Sequence, residues 1–197
     1  MSDVIHDFTT EVPEWQPRVT PVDLENATPE QLEALKVTPS NTKVSDYVLT
    51  LAHDVEILQE RSPLFNAIMY NRGGLGRTGR ELGATAASIV NRCIYCAAVH
   101  ASRYNQLTKS GEIMAALFED GEEVRLAPYN QAIVDFSMKL SKSPPEATAD
   151  DVGKLRDAGL SEEEIVDLIL STSLFAWANR LMHILGDPVT TGSVDIG

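Results

Sequence analysis

The sequence predicts one compact all-α domain of about eight helices, and three observations carry that expectation. Apolar residues recur at helical spacing through most of the chain. Helix-start signatures repeat along it, with Ser, Thr or Pro placed ahead of apolar runs. No segment alternates apolar and polar residues between hairpin signals.

Residues 1–26 carry Pro13, Pro17 and Pro21 with little periodicity, and read as an extended N-terminal arm with Trp15 as an anchor onto the body or a neighbouring subunit. Residues 27–197 read as a single all-helical domain. Thr28-Pro29-Glu30-Gln31 opens the first helix, because Thr28 caps, Pro29 suits the first helical position and Gln31 completes a capping box. From Ser45, the residues Val48, Leu51, Ala52, Val55 and Leu58 repeat helically, and Ser62-Pro63 is expected to restart a short helix through Met69. The segment from Asn71 to Gly76 reads as a flexible connection. It has three glycines but neither the lysine nor the preceding strand of a phosphate-binding loop.

A motif-bearing helical region over 78–108 follows, then a helix from Gly111 to about Phe118 and an acidic turn at 119–123. Pro128 opens a helix to Leu140, Ser143-Pro144-Pro145 ends it, and Thr148 caps a short helix closed by Gly159. Ser161 to Glu164 is a second capping box with an acidic first turn. The helix it opens is apolar nearly all round, from Ile165 to Leu185, and is expected to be buried in the domain or in an oligomer interface.

The chain has 197 residues, enough for a substantial core without staples, and a formal charge of −13. An acidic surface excludes nucleic acid and anionic membranes as expected partners. The longest apolar stretches contain polar residues and fall short of a membrane span, and no targeting signal is visible, so a cytoplasmic location is expected. Both cysteines lie in one four-residue motif, which in a reducing compartment points to catalysis or metal binding rather than a structural disulfide.

That motif is Cys93-Ile-Tyr-Cys96-Ala-Ala-Val-His100, with Glu81 twelve residues before Cys93. Helical offsets put Cys93, Cys96 and His100 on one face. On one unbroken helix Glu81 would lie about 18 Å from Cys93 and face elsewhere. A chain turn near Asn91, midway between Glu81 and His100, would fold one helix back on the other and pair the two. The expectation is therefore a helix break within residues 90–93. Cysteines at the new helix start would have lowered pKa, a carboxylate–imidazole pair would move the proton, and the thiols would attack an O–O bond or a disulfide.

The spacing Glu-x(11)-Cys-x-x-Cys-x-x-x-His resembles the alkyl hydroperoxidase D family within the carboxymuconolactone decarboxylase-like superfamily, and is most similar to its peroxidase-related branch. The likeness runs from about Val44 to Gly186 and includes Phe175-Ala-Trp-Ala-Asn179-Arg180. The resemblance implies an alkyl hydroperoxidase D-like helical fold and a peroxidase cycle in which Cys96 attacks peroxide, Cys93 resolves the product, and Glu81 with His100 relays the proton. It implies a hydroperoxide substrate, an external dithiol or lipoyl-type reductant, and a homo-oligomer, whether trimer, hexamer or dimer. Tyr95 stands where the best-studied members have histidine, so the relay is altered, since a phenol does not titrate near neutrality.

Other readings fit the same residues. His100 and Glu81 could serve as acid and base in a decarboxylase or lyase of the superfamily, or the thiols could form a non-catalytic redox sensor. Zinc on Cys93, Cys96, His100 and Glu81 is an acceptable ligand set, but four ligands on two packed helices require a tight geometry, and no metal or cofactor is expected. His53 and His183 read as core or interface residues, as do Phe175 and Trp177. Arg92 and Arg103 flank the motif as surface ion-pair residues or as aids to a thiolate.

Overall fold

The computed structural model describes residues 3–37 and 44–190. Its elements are β1 (Glu14–Pro17), α1 (Pro29–Ala34), α2 (Asp46–Leu51), α3 (Val55–Tyr70), α4 (Arg77–Val90), α5 (Ile94–Thr108), α6 (Glu112–Asp120), α7 (Pro128–Ser141), α8 (Ala149–Asp157), α9 (Glu162–Leu185) and β2 (Gly186–Val189). The fold class is all-α, and the helix starts at Thr28 and Ser161 carry the capping boxes read from the sequence, while the Thr148 cap also forms a box with Asp151.

The middle of the domain is α4, packed against α5, α7 and α9. Every residue from Gly79 to Ser88 is buried. Small residues allow this. A Cβ built on Gly83 would come within 2.8 Å of the Leu168 side chain, so α9 crosses there at a distance only glycine permits. The buried hydroxyls stay satisfied by bonding one turn back, Thr85 Oγ1 to the Glu81 carbonyl at 2.9 Å and Ser88 Oγ to the Ala84 carbonyl at 2.7 Å.

Several expectations are corrected. The break in the second helical stretch falls at 52–54, because the Asp54 side chain accepts the Ile57 N–H at 3.1 Å and starts α3 there. Pro63 is consequently inside α3 rather than at a restart. The 71–76 connection is pinned rather than flexible. Arg80 donates to the Asn71 and Gly73 carbonyls, and Asp167 of α9 accepts from both Arg80 and the Leu75 N–H. Gly73 and Gly74 have φ of 98° and 54°, and a Cβ on Gly74 would fall 2.0 Å from Asp167 Oδ2.

The extended arm docks on the body, with Trp15 as its anchor. β1 pairs antiparallel with β2, from Glu14 opposite Val189 to Pro17 opposite Gly186. Trp15 is buried against Gly186, edge-on to the Tyr47 ring at 5.8 Å. Two four-residue strands, each holding a proline, give no alternating pattern to read.

Finally, α9 is buried on one face only. Val166, Leu170, Trp177 and Ile184 are exposed on the other, Trp177 at 39%, so the core reading of Trp177 does not hold. By length and composition α9 could cross a membrane, which the sequence reading denied it. In the fold it is a packed helix whose inner face buries Ser171, Thr172 and Asn179.

Candidate functional site

The site is built on the turn between α4 and α5. Asn91 closes α4, its N–H and Nδ2 both bonding the Ala87 carbonyl at 3.0 and 2.8 Å. Arg92 takes a left-handed conformation, φ 51°, and the Cys93 N–H returns to the Ser88 carbonyl at 2.9 Å. Cys93 is then the N-cap of α5. The helix break thus lies at 91–93, with Asn91 ending the first helix rather than opening the second.

Because α5 runs back along α4, His100 meets Glu81. His100 Nδ1 lies 2.5 Å from Glu81 Oε2, with both residues buried. A carboxylate accepts, so Nδ1 carries the proton of this bond. The other carboxylate oxygen takes Arg77 Nε at 2.5 Å. Burial opposes the charge on Glu81, but His100 and Arg77 outweigh it and hold the carboxyl below its ordinary pKa. The Phe175 ring stands edge-on to the imidazole, centroids 3.9 Å apart.

Both cysteines are free and buried, and they share a hydrogen bond. The Cys96 thiol donating to Cys93 is the main cause lowering the Cys93 pKa. Burial works against it, while the Cys96 backbone N–H and the Asn179 amide assist. The same bond, then burial and the Cys93 charge, push Cys96 well up, with Asn179 acting the other way. The acidic thiol is therefore Cys93, as its place at a helix N-terminus requires. Each thiol faces a cavity of its own. Cys96 lines a cavity of about 230 Å³ together with His100 and Glu81. Cys93 lines a separate one of about 200 Å³ beside Arg18, Arg92 and His183. Tyr95 borders both, half-buried, with burial raising its pKa. Among the described residues no three His, Cys, Asp or Glu side chains form a group able to hold a metal ion.

The flanking residues also find places. His183 Nε2 lies 2.5 Å from the Asn91 carbonyl and so braces the turn. Arg92 covers the Phe8 ring, Arg103 lines the Cys96 cavity, and His53 bonds the Thr20 carbonyl at 2.8 Å, away from the thiols. Sequence reasoning missed Arg77 and the tasks of Asn179 and Phe175. The four-residue spacing from Arg77 to Glu81 was the available signal. Asn179 joins Ser88 Oγ at 3.1 Å and Asn91 Nδ2 at 3.3 Å across 88 or more residues, which no local pattern announces.

A helical domain with a thiol pair on a helix-start turn, beside a carboxylate–imidazole pair, is the class of protein this fold and geometry define. Residues 56–128 match the carboxymuconolactone decarboxylase family. The structure is similar to an uncharacterized peroxidase-related protein from Silicibacter sp. TM1040, with 22% identity over 89% of this chain and 94% of that one, TM-score 0.73. It is likewise similar to an alkylhydroperoxidase AhpD core, peroxidase-related protein from Ralstonia eutropha JMP134, with 25% identity, 88% and 90% coverage and TM-score 0.73. The debrominase Bmp8 shares the fold at 18% identity, 83% and 87% coverage and TM-score 0.69. No curated protein matches. Over residues 56–128 the chain is similar to the carboxymuconolactone decarboxylase family, and its fold is that of the alkyl hydroperoxidase D-like peroxidase-related structures.

Proposed function

We propose that the protein is a thiol-dependent, peroxidase-like oxidoreductase that reduces hydroperoxides through a Cys93–Cys96 disulfide cycle. The observation that carries this reading is that Cys96 is bonded to an acidic partner thiol while lining the same cavity as the His100–Glu81 pair.

In its reactive form the pair holds one proton. Its shift from Cys96 to Cys93 makes Cys96 the thiolate, which attacks the terminal oxygen of R–O–O–H. The O–O bond breaks, and the departing alkoxide takes a proton from the His100 imidazolium, which Glu81 stabilises. Cys96 is left as the sulfenic acid. Cys93 then gives up its proton and attacks the Cys96 sulfur. The S–O bond breaks, the departing hydroxide takes that proton and leaves as water, and the disulfide forms. Two thiol equivalents and one hydroperoxide become a disulfide, an alcohol and water. An external dithiol, lipoyl-type or similar, restores the pair by exchange. A reducing, cytoplasmic setting suits this cycle. Homo-oligomer formation would cover the exposed apolar residues Ile57, Leu64, Leu170 and Trp177 on α3 and α9.

The test is consumption of an organic hydroperoxide with a dithiol such as dihydrolipoamide. Cys96→Ser should lower the rate about a thousandfold or more, and Cys93→Ser should stop after one cycle. Activity that survives replacement of both cysteines would move the chemistry to His100 and Glu81 as acid and base.

A further inference from the structure

The cavity that Cys96 faces holds two polar groups that the thiol chemistry does not use. Tyr47, on α2, is 9% exposed, and among the described residues its hydroxyl has only the Arg61 guanidinium beside it and no well-formed hydrogen bond. Arg61, on α3, is half-buried, and its Nε is buried with no hydrogen-bond partner among the described residues. Its guanidinium carbon sits 4.4 Å from the centroid of the Phe65 ring and 5.9 Å from that of Tyr47. No ion pair among the described residues includes it. Leaving such groups unmet costs about 1–3 kcal/mol each, a cost that a ligand carrying the complementary acceptor removes.

The charge and shape of the cavity say which acceptor. Arg61, Arg77 and Arg103 line it with a single carboxylate, Glu81, which Arg77 and His100 already engage. In a chain of formal charge −13 this is a local reversal of sign, and it steers anions. Phe65, Val99, Phe175 and Met182 give it an apolar wall beside these charges. At about 230 Å³ the space lies below the roughly 300–1,000 Å³ of drug-sized pockets, so its occupant is compact. A planar guanidinium fork with one phenolic donor beside it matches a carboxylate.

We infer that this cavity binds a small organic carboxylate, its head on Arg61 and the Tyr47 hydroxyl and its apolar body against Phe65 and Phe175, directed at Cys96. That this ligand is the substrate, a carboxylate-bearing organic hydroperoxide, rests on the peroxidase reading; the binding itself does not.

The experiment titrates reduced protein calorimetrically with 3-phenylpropionate and with 3-phenylpropanol, which differ only in the head group. The parent should bind the carboxylate at least roughly tenfold more tightly than the alcohol. Arg61→Gln should weaken the carboxylate roughly ten- to a hundredfold and leave the alcohol unchanged. Arg61→Lys should keep part of the affinity, and Tyr47→Phe should lose less than Arg61→Gln. Thermal melts establish that each variant is folded; if Arg61→Gln is not, Arg61→Lys and Tyr47→Phe carry the test. Equal affinity for the two heads, no carboxylate binding, or variants that bind it as the parent does would overturn the inference. Hydroperoxide turnover is measured in parallel. Absent turnover with head-selective binding removes the peroxidase reading alone, and turnover without head selectivity removes this inference alone.

Discussion

The two ends of α4 are held by the same helix in different ways. At its N-terminal end, Asp167 of α9 ties Arg80 and the Leu75 N–H into a closed clasp whose members bond one another and the 71–76 backbone. At its C-terminal end, Asn179 and His183 of α9 hold the 91–93 turn, and this end opens on both sides to cavities lined by the thiols. The first end spends its polar groups on shape. The second places an amide where it lowers the pKa of both sulfurs as well as fixing the turn. Clamping one helix at both ends is what keeps Glu81, between them, in register with His100 on α5.

The comparison can be broken from either end. Asp167→Ala strands the Arg80 guanidinium, whose side chain is only 3% exposed. It should cost about 3–5 kcal/mol in chemical denaturation while the pH profile of thiol alkylation stays put. A moved profile would show that the two ends are not separable.

Glu81→Gln should reduce hydroperoxide turnover about a hundredfold and stability by about 1–3 kcal/mol. The sign with pH follows from a folded pKa depressed by His100 and Arg77. The stabilisation is fully present above the ordinary carboxyl value of about 4.3 and is lost as pH falls through the depressed one, so denaturation curves of parent and variant should converge in acid.

Asn179→Leu removes the amide from both sulfurs, from Ser88 and from Asn91. It should cost about 1–2 kcal/mol and, unlike the Asp167 change, move the alkylation profile of Cys93 to higher pH, as read by mass spectrometry of the modified peptide. His183→Ala removes one bond to an exposed turn and should cost under about 1 kcal/mol by thermal melting.

Much of this was legible in the sequence, because it rests on local signals. Capping boxes at Thr28 and Ser161 and the cap at Thr148 fix helix starts within a few residues, and the symmetry of Glu81 and His100 about Asn91 locates the turn. The strand pairing of the arm was not legible, because contacts between residues 14–17 and 186–189 span the whole chain. The 71–76 segment was misread for the same reason, since what stiffens it comes from Asp167. Arg61 and Tyr47 acquire meaning only when α2 and α3 close one wall of a cavity whose other wall is α5. The order of thiol acidity also comes from placement, for Cys93 caps α5 while Cys96 sits one turn inside it.

The most direct test is a single turnover of reduced Cys93→Ser protein with an organic hydroperoxide, quenched with dimedone and mapped by mass spectrometry. The expected result is one equivalent of alcohol and a dimedone adduct on Cys96. An unmodified Cys96, or a Cys96→Ser protein that forms the adduct on Cys93 as fast, would contradict the account.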